Sequence, residues 1–375
     1  MAPRATRLLL RDFRNYERAE VALGEGLTVV TGPNGAGKTN LLEGLYFGLV
    51  GRSCRTSAER EVVRVGAAAA RIEVDTQGAD SRAHRLEVGL AAGEPKRLAL
   101  DGSPLERPPD PSVRPLASVF MPDRLTLIKG PPSARRAHLD RLAATLWPAR
   151  GAARCAYARA LGQRNAALAR VRSGRSSTAA LEPWDGELAR LGLELMEARA
   201  EAAALVAPGF AARASELGLP ARAELVYAPR SHALDVATLR EELRERRPGD
   251  LERGFTGHGP HRDEVLLRHG GRLLRSYGSQ GQQRVGLLAL LFAERDVLLE
   301  RGAAPLMLLD DVTSELDADR RERLAELVRA GGQAVISATE LEHVPVRIEP
   351  HVTHVEVEEE GTLRDLTRAR PATVA

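Results

Sequence analysis

Three features of this 375-residue sequence predict an α/β fold: a mixed sheet with flanking helices, assembled from both chain ends and split by an inserted helical lobe. A β-branched run near the N-terminus leads through a glycine-rich octad into an apolar helical stretch. A second apolar run ends in Asp310 and Asp311. Between them, residues 134 to 217 are rich in Ala, Leu and Arg and read as helices. Prolines 104, 108, 109, 111 and 115, then Pro131 and Pro132, mark the exit from the first α/β stretch. Arg244 to Gly254, with Pro248-Gly249, reads as a return linker. The expected division is therefore 1–125 for the N-terminal part of the α/β lobe, 126–250 for the inserted helical lobe, and 251–375 for the C-terminal part.

The first element is Leu27-Thr28-Val29-Val30-Thr31, which reads as a buried strand. It runs into Gly32-Pro33-Asn34-Gly35-Ala36-Gly37-Lys38-Thr39, a match to the phosphate-binding pattern G-x-x-x-x-G-K-[ST]. A helix over Asn40–Val50 follows. The chain holds only three lysines, at 38, 96 and 129, and one stands where the pattern requires it. A compact ammonium fits between phosphate oxygens better than a flat guanidinium. Gly32, Gly35 and Gly37 allow main-chain N–H groups to turn inward around phosphates, and the helix N-terminus adds partial positive charge. The whole octad with Asn40 is the expected nucleotide site. Lys38 is expected on the β- and γ-phosphates and Thr39 on Mg²⁺, so ATP and Mg²⁺ are the expected cofactors.

The second run, Pro305-Leu306-Met307-Leu308-Leu309-Asp310-Asp311, reads as a buried parallel strand, and ligands bind at the carboxyl ends of such strands. Asp310 is expected to hold Mg²⁺ with Thr39. Asp311 is expected to orient or deprotonate the attacking water, which makes Asp311 and Lys38 the catalytic candidates. Upstream, Ser276-Tyr277-Gly278-Ser279-Gln280-Gly281-Gln282-Gln283-Arg284 precedes an apolar helix, Val285–Leu299, with Ser279 as its N-cap. A capped helix N-terminus beside glycine is a second phosphate-binding device. One chain does not need two for one γ-phosphate. Two chains do, if each lends its second device to the other's nucleotide.

These stretches resemble the phosphate loop, signature, acidic strand and D-loop of ABC-type ATPases, the last being Ser314-Glu315-Leu316-Asp317. More narrowly, the chain is similar to the RecF family of bacterial recombination mediators. Leu10–Tyr16, Thr39–Glu43, Gly51–Thr56, Pro122–Leu125 and Lys129–Arg136 carry the resemblance, with Gln163–Asn165, Trp184-Asp185 and Gly259–Asp263. It spans roughly residues 8–340. What it implies is a P-loop ABC-type ATPase head that dimerises on ATP and clamps duplex DNA near gaps or single-strand/double-strand junctions. Such a protein works with RecO and RecR to load RecA on single strands in recombinational repair and replication-fork maintenance. By the same resemblance Ser279, Gly281 and Gln282 contact the partner's γ-phosphate, and Asp317 lies in the loop crossing the dimer interface. Two departures point to slow turnover. Aspartate, at position 311, stands where most ABC-type ATPases have glutamate, and Thr339 stands where transporters have a switch histidine. The Q-loop is expected within Phe120–Asp123, its residue unassigned.

Composition narrows the partners. Charged residues at 28% and hydrophobic residues at 43% suit a soluble globular protein. There is no run of eighteen apolar residues, and the first eleven residues are too polar for a signal peptide core. Two cysteines, Cys54 and Cys155, suit a reduced, cytoplasmic setting. The net charge of +3 is small, but residues 129–180 hold eleven cations against one acid, Asp140. DNA contact is expected there, with Arg135, Arg136, Arg150, Arg154 and Arg164 as candidates. Few aromatics (3%) argue for reading a duplex backbone over stacking on single-strand bases. His258 and His261 lack a third ligand for a metal. Glu356, Glu358, Glu359 and Glu360 read as a solvated edge.

Two other classes compete. A transporter's nucleotide subunit is disfavoured by the roughly 240 residues between Lys38 and Ser279. A chromosome-organising protein with long coiled arms is disfavoured by the short insertion, which lacks sustained heptads.

Overall fold

The structure, a computed structural model, describes residues 2–121, 125–314, 316–344, 352–358 and 361–367. Pro122, Asp123, Glu315, Glu359 and Glu360, named above, lie outside the described residues. The N-terminal run is β1 (Arg4–Phe13), β2 (Tyr16–Ala22), β3 (Leu27–Thr31), α1 (Lys38–Val50), β4 (Ala69–Gln77), β5 (Ala83–Ala91), β6 (Arg97–Leu100), β7 (Ser103–Leu105) and β8 (Ala117–Phe120). The middle holds α2 (Thr126–Lys129), α3 (Pro132–Leu146), α4 (Ala153–Arg172), α5 (Glu182–Glu216), β9 (Ala223–Ala228), α6 (Val236–Glu245), α7 (Arg247–Arg253), β10 (Glu264–His269), β11 (Arg272–Leu273) and α8 (Leu274–Tyr277). The C-terminal run is α9 (Gln280–Glu300), β12 (Leu306–Leu309), α10 (Ala318–Arg329), β13 (Ala334–Ser337), β14 (Val352–Val357) and β15 (Leu363–Asp365).

Two compact units result. The first comprises Met1–Arg124, Glu216–Gly218 and Glu294–Ala375; the second comprises Leu125–Ser215 and Leu219–Ala293. The return to the first unit thus falls inside α9, not near residue 250. The stretch expected to be a linker, Arg244 to Gly254, is the end of α6 and all of α7. Pro248 is tolerated because it sits in the first turn of α7, where its missing N–H has no helical partner to lose. Asp250 is fully buried and belongs to the core of the second unit.

In the first unit, one sheet runs β15-β14-β3-β13-β12-β8, with β14, β3, β13, β12 and β8 parallel to one another and β15 antiparallel to β14. The N-terminal strand β3 therefore lies between two C-terminal strands. All five of its residues are buried, as expected of a parallel strand covered on both faces. The other sheet is antiparallel, β2-β1-β4-β5-β6-β7. Helix α1 is buried on almost every side, so it is apolar around its whole circumference. Its Gly48 lets it approach the antiparallel sheet closely: a Cβ there would stand 2.4 Å from a methyl of Val74. Leu10, Phe13, Leu45, Phe47 and Ile72 join Val335 and Leu308 in one core.

The second unit packs Tyr157 of α4 against Leu188, Leu191 and Leu195 of α5 and Leu239 and Leu243 of α6. Strands β9, β10 and β11 form a small antiparallel sheet. No helix among the described residues is long and apolar enough to cross a membrane.

Candidate functional site

Strand β3 delivers the chain into the loop, and α1 begins at Lys38. Gly32, Gly35 and Gly37 take φ of 145°, 84° and 117°, which side-chain-bearing residues rarely adopt. The crown Pro33-Asn34-Gly35 is exposed, while Ala36, Gly37 and Lys38 are buried. The Lys38 Nζ donates to the Gly32 carbonyl at 2.7 Å and the Pro33 carbonyl at 2.8 Å. Burial pulls its pKa down, against the nearby charges of Asp311 and Asp310.

The parallel register brings β12 to the same sheet end. The Thr39 hydroxyl donates to Asp310 Oδ2 at 2.7 Å, and the Ser337 hydroxyl donates to Asp310 Oδ1 at 2.6 Å. Burial raises the Asp310 pKa, opposed by those two hydrogen bonds and Lys38. A buried carboxylate beside a hydroxyl, both hard oxygen donors, suits Mg²⁺, which commonly keeps waters and takes further oxygens from phosphates. Asp311 has φ 44°, unusual for a residue other than glycine, and its N–H donates to Ser337 Oγ at 2.9 Å. The turn after β12 is thus fixed by Ser337 of β13, a residue the sequence did not single out.

A second set was also missed. The Asn15 amide donates to the Ala36 carbonyl at 2.9 Å, and the Tyr16 hydroxyl donates to the Gly37 carbonyl at 2.9 Å. The Asn40 amide donates to Asn15 Oδ1 at 2.8 Å and accepts from Arg55 at 2.9 Å, so its side chain is committed within the protein. Glu43, fully buried on α1, receives Arg14 at 2.8 Å, Arg55 at 3.2 Å and the Ser53 hydroxyl at 2.5 Å. Apart from Asn40, their only sequence signal was the family resemblance of Leu10–Tyr16, Thr39–Glu43 and Gly51–Thr56. No spacing rule links those stretches to the loop.

In the second unit, Ser279 caps α9. Its hydroxyl accepts from the Gln282 N–H at 3.2 Å, while the Gln282 side chain accepts from the Ser279 N–H at 2.9 Å. This reciprocal capping box leaves the first-turn N–H groups of Gln280 and Gly281 without partners inside the helix. Ser279 is exposed and Gly281 and Gln282 half-buried. In the first unit, Asp317 is exposed and caps α10, accepting from the Arg320 N–H at 2.9 Å. Thr339 uses its carbonyl to accept from the Gly32 N–H at 3.3 Å.

The arginine cluster divides. Arg164 is fully buried and bonds Asp185 at 2.6 Å, Asp250 at 2.7 Å and Thr256 at 2.7 Å. It cannot reach DNA, and its expected role there is withdrawn. Arg135, 5% exposed, pairs with Glu264 at 2.9 Å and bonds the Gly130 carbonyl at 2.8 Å, so it too is structural. Arg136 donates to the Asp263 carbonyl at 2.6 Å. Arg150 pairs with Glu201 at 2.8 Å and stacks over Trp147 at 5.1 Å. Arg154 is exposed, 3.8 Å from an Asp140 already held by Arg199. Arg159, Arg170, Arg172 and Arg175 are exposed, and their side chains have no hydrogen-bond or ion-pair partner among the described residues. His258 pairs with Glu242 at 2.5 Å. The His261 Nε2 donates to the Thr256 carbonyl at 2.9 Å, so its Nδ1 accepts from the Tyr157 hydroxyl at 2.8 Å.

Residues 7–94 match the model of an AAA domain family. A DNA replication and repair protein RecF from Streptomyces avermitilis is 40% identical over 91% of this chain and 94% of its own. One of the same name from Kineococcus radiotolerans is 36% identical over 95% and 98%. Among solved structures, the recombination mediator protein RecF-ATP in the RecFOR pathway superposes with a TM-score of 0.85 at 25% identity, covering 97% of this chain and 98% of that one. An Smc head bound to the C-winged helix domain of ScpA shares the fold, with a TM-score of 0.59 at 16% identity over 96% of each chain.

Proposed function

The chain belongs to the RecF family of DNA replication and repair proteins, and from that premise we propose that it is an ATPase whose nucleotide closes a two-chain clamp on duplex DNA. The observation that carries the nucleotide half is the pairing of Thr39 with Asp310 at 2.7 Å beside Lys38. Lys38 exchanges loop carbonyls for phosphate oxygens. Thr39 and Asp310 would hold Mg²⁺, which would neutralise phosphate charge when bound. Asp311, on its fixed turn, orients the attacking water and accepts its proton. Its short side chain makes hydrolysis slow, and DNA stimulates it.

The dimer half rests on the exposed first turn of α9. Ser279, Gly281 and Gln282 of one chain meet the γ-phosphate held by the other, with Asp317 beside the crossing. RecR- and RecO-type mediators are the expected partners, because the RecF-ATP structure matched above is described as part of the RecFOR pathway. DNA contact moves from the buried arginines to the outer face of α4. Arg159 and Arg170, eleven residues apart, share one side of the helix about 16 Å apart, and α4 contains no acid. Duplex near a gap or junction is the proposed substrate. Sedimentation and duplex binding with and without ATP, on the intact protein and on Asp311→Asn, test the reading. It fails if ATP changes neither mass nor DNA affinity in either protein.

A further inference from the structure

We propose that Asn15 and Tyr16, on the β1–β2 hairpin, are positioning residues that orient the two main-chain N–H groups at the heart of the phosphate loop. This rests on the nucleotide reading above and deepens it. A carbonyl and the N–H that follows it share one peptide plane and point in opposite directions. Asn15 holds the Ala36 carbonyl at 2.9 Å, which fixes the direction of the Gly37 N–H. Tyr16 holds the Gly37 carbonyl at 2.9 Å, which fixes the direction of the Lys38 N–H. Without Asn15 the Ala36–Gly37 plane loses that hold at a glycine whose φ of 117° gives little steric restraint, and without Tyr16 the Gly37 carbonyl keeps only the Leu41 N–H of the first helical turn, at 2.9 Å.

The orientation of the Asn15 amide is itself dictated. Arg55 stands at the head of a relay, donating to Asn40 Oδ1 at 2.9 Å. Asn40 then donates to Asn15 Oδ1 at 2.8 Å. Asn15 is left with its NH₂ toward Ala36. An arginine has no acceptor and a carbonyl no donor, so neither amide in the chain can flip without losing both its bonds. Packing reinforces the arrangement. A Cβ on Gly37 would stand 2.5 Å from Asn15 Nδ2, so the hairpin sits directly on the loop glycine. Tyr16 is fully buried, and burial pushes its phenol far above the ordinary range, so it remains a hydrogen-bond donor at all working pH values.

The test uses the full chain with Asn15→Asp and Tyr16→Phe. Asn15→Asp keeps the size and the acceptor for Asn40 but loses the donor to Ala36. Tyr16→Phe removes one oxygen. Dissociation constants for Mg-ATP and Mg-ADP, the apo melting temperature and kcat at saturating ATP are measured well below that temperature. The loop N–H groups serve the phosphates that both nucleotides share. Affinity for both is expected to fall about tenfold in Asn15→Asp and about threefold or more in Tyr16→Phe, with their ratio kept and kcat within about threefold of wild type. Dissociation constants within about twofold of wild type, with or without a lower melting temperature, overturn the proposal. A loss confined to ATP overturns it as well. If Asn15→Asp does not fold, Tyr16→Phe decides alone. A wild-type protein that binds neither nucleotide overturns the nucleotide reading itself.

Discussion

The phosphate loop of the first unit and the arginine-rich helices of the second both present polar residues in a dense local cluster. In the loop, spacing dictates backbone shape: the left-handed glycines, the buried lysine and the threonine over Asp310 all sit where the octad requires. In the helices, the same density of charge conceals opposite fates. Arg164 and Arg159 are five residues apart on α4; one is fully buried among two aspartates and the other faces solvent with no side-chain partner among the described residues. Motif spacing encodes geometry. Charge composition does not encode the direction a side chain faces.

The sharpest way to break this comparison is Arg164→Ala. Removing it leaves Asp185 and Asp250 buried without their shared cation, although Arg247 still reaches Asp185 at 2.6 Å. The expected loss is about 3–5 kcal/mol in urea unfolding. A variant as stable as wild type would return Arg164 to the surface. On the loop side, Asp311→Asn is expected to lower single-turnover hydrolysis about 100-fold or more, with ATP affinity nearly unchanged. Equal loss of binding would make Asp311 structural. On the exposed side of α4, Arg159→Gln with Arg170→Gln should reduce the salt slope of duplex binding by about 1.8 if both touch phosphate. An unchanged slope assigns that face to something other than DNA.

The smallest expected effect is acid sensitivity of the second unit. Burial, aided by Arg262 and Arg136, pushes the His261 pKa down to about 4. The unfolded chain takes up a proton as pH falls through about 6.5, while the folded one does not until about 4. Stability should fall with pH across that window. In His261→Gln this part of the pH dependence should vanish, as read from urea midpoints at pH 7 and 5.

Much of the fold was legible because its elements carry their own signals. The strand over Leu27–Thr31 matches β3 residue for residue, and the apolar run before Asp310 is β12. The helices between residues 134 and 217 are α3, α4 and α5. The return boundary was not legible. Pro248-Gly249 looks like a break in sequence, yet a first-turn proline starts a helix as readily as it ends one. Asp250 is buried where Arg164, 86 positions earlier, meets it, with Arg253 and the Gly257 N–H on its other oxygen. The site divides in the same way. Lys38, Thr39 and Asp310 come from motifs. Ser337, Asn15, Tyr16 and Glu43 act through tertiary contacts that no local pattern announces. Asn40, an expected nucleotide-site residue, has its side-chain amide bonded to Asn15 and Arg55.

In the proposed clamp a second copy of the chain completes the nucleotide site. Mixing two inactive variants, Lys38→Ala and Ser279→Arg, tests it directly. A mixed dimer places both defects at one site and leaves the other with an intact loop and an intact first turn of α9. Each variant alone is expected to have almost no ATPase activity, and an equal mixture to recover about a quarter of the wild-type rate. A mixture no more active than the two variants measured separately would contradict it.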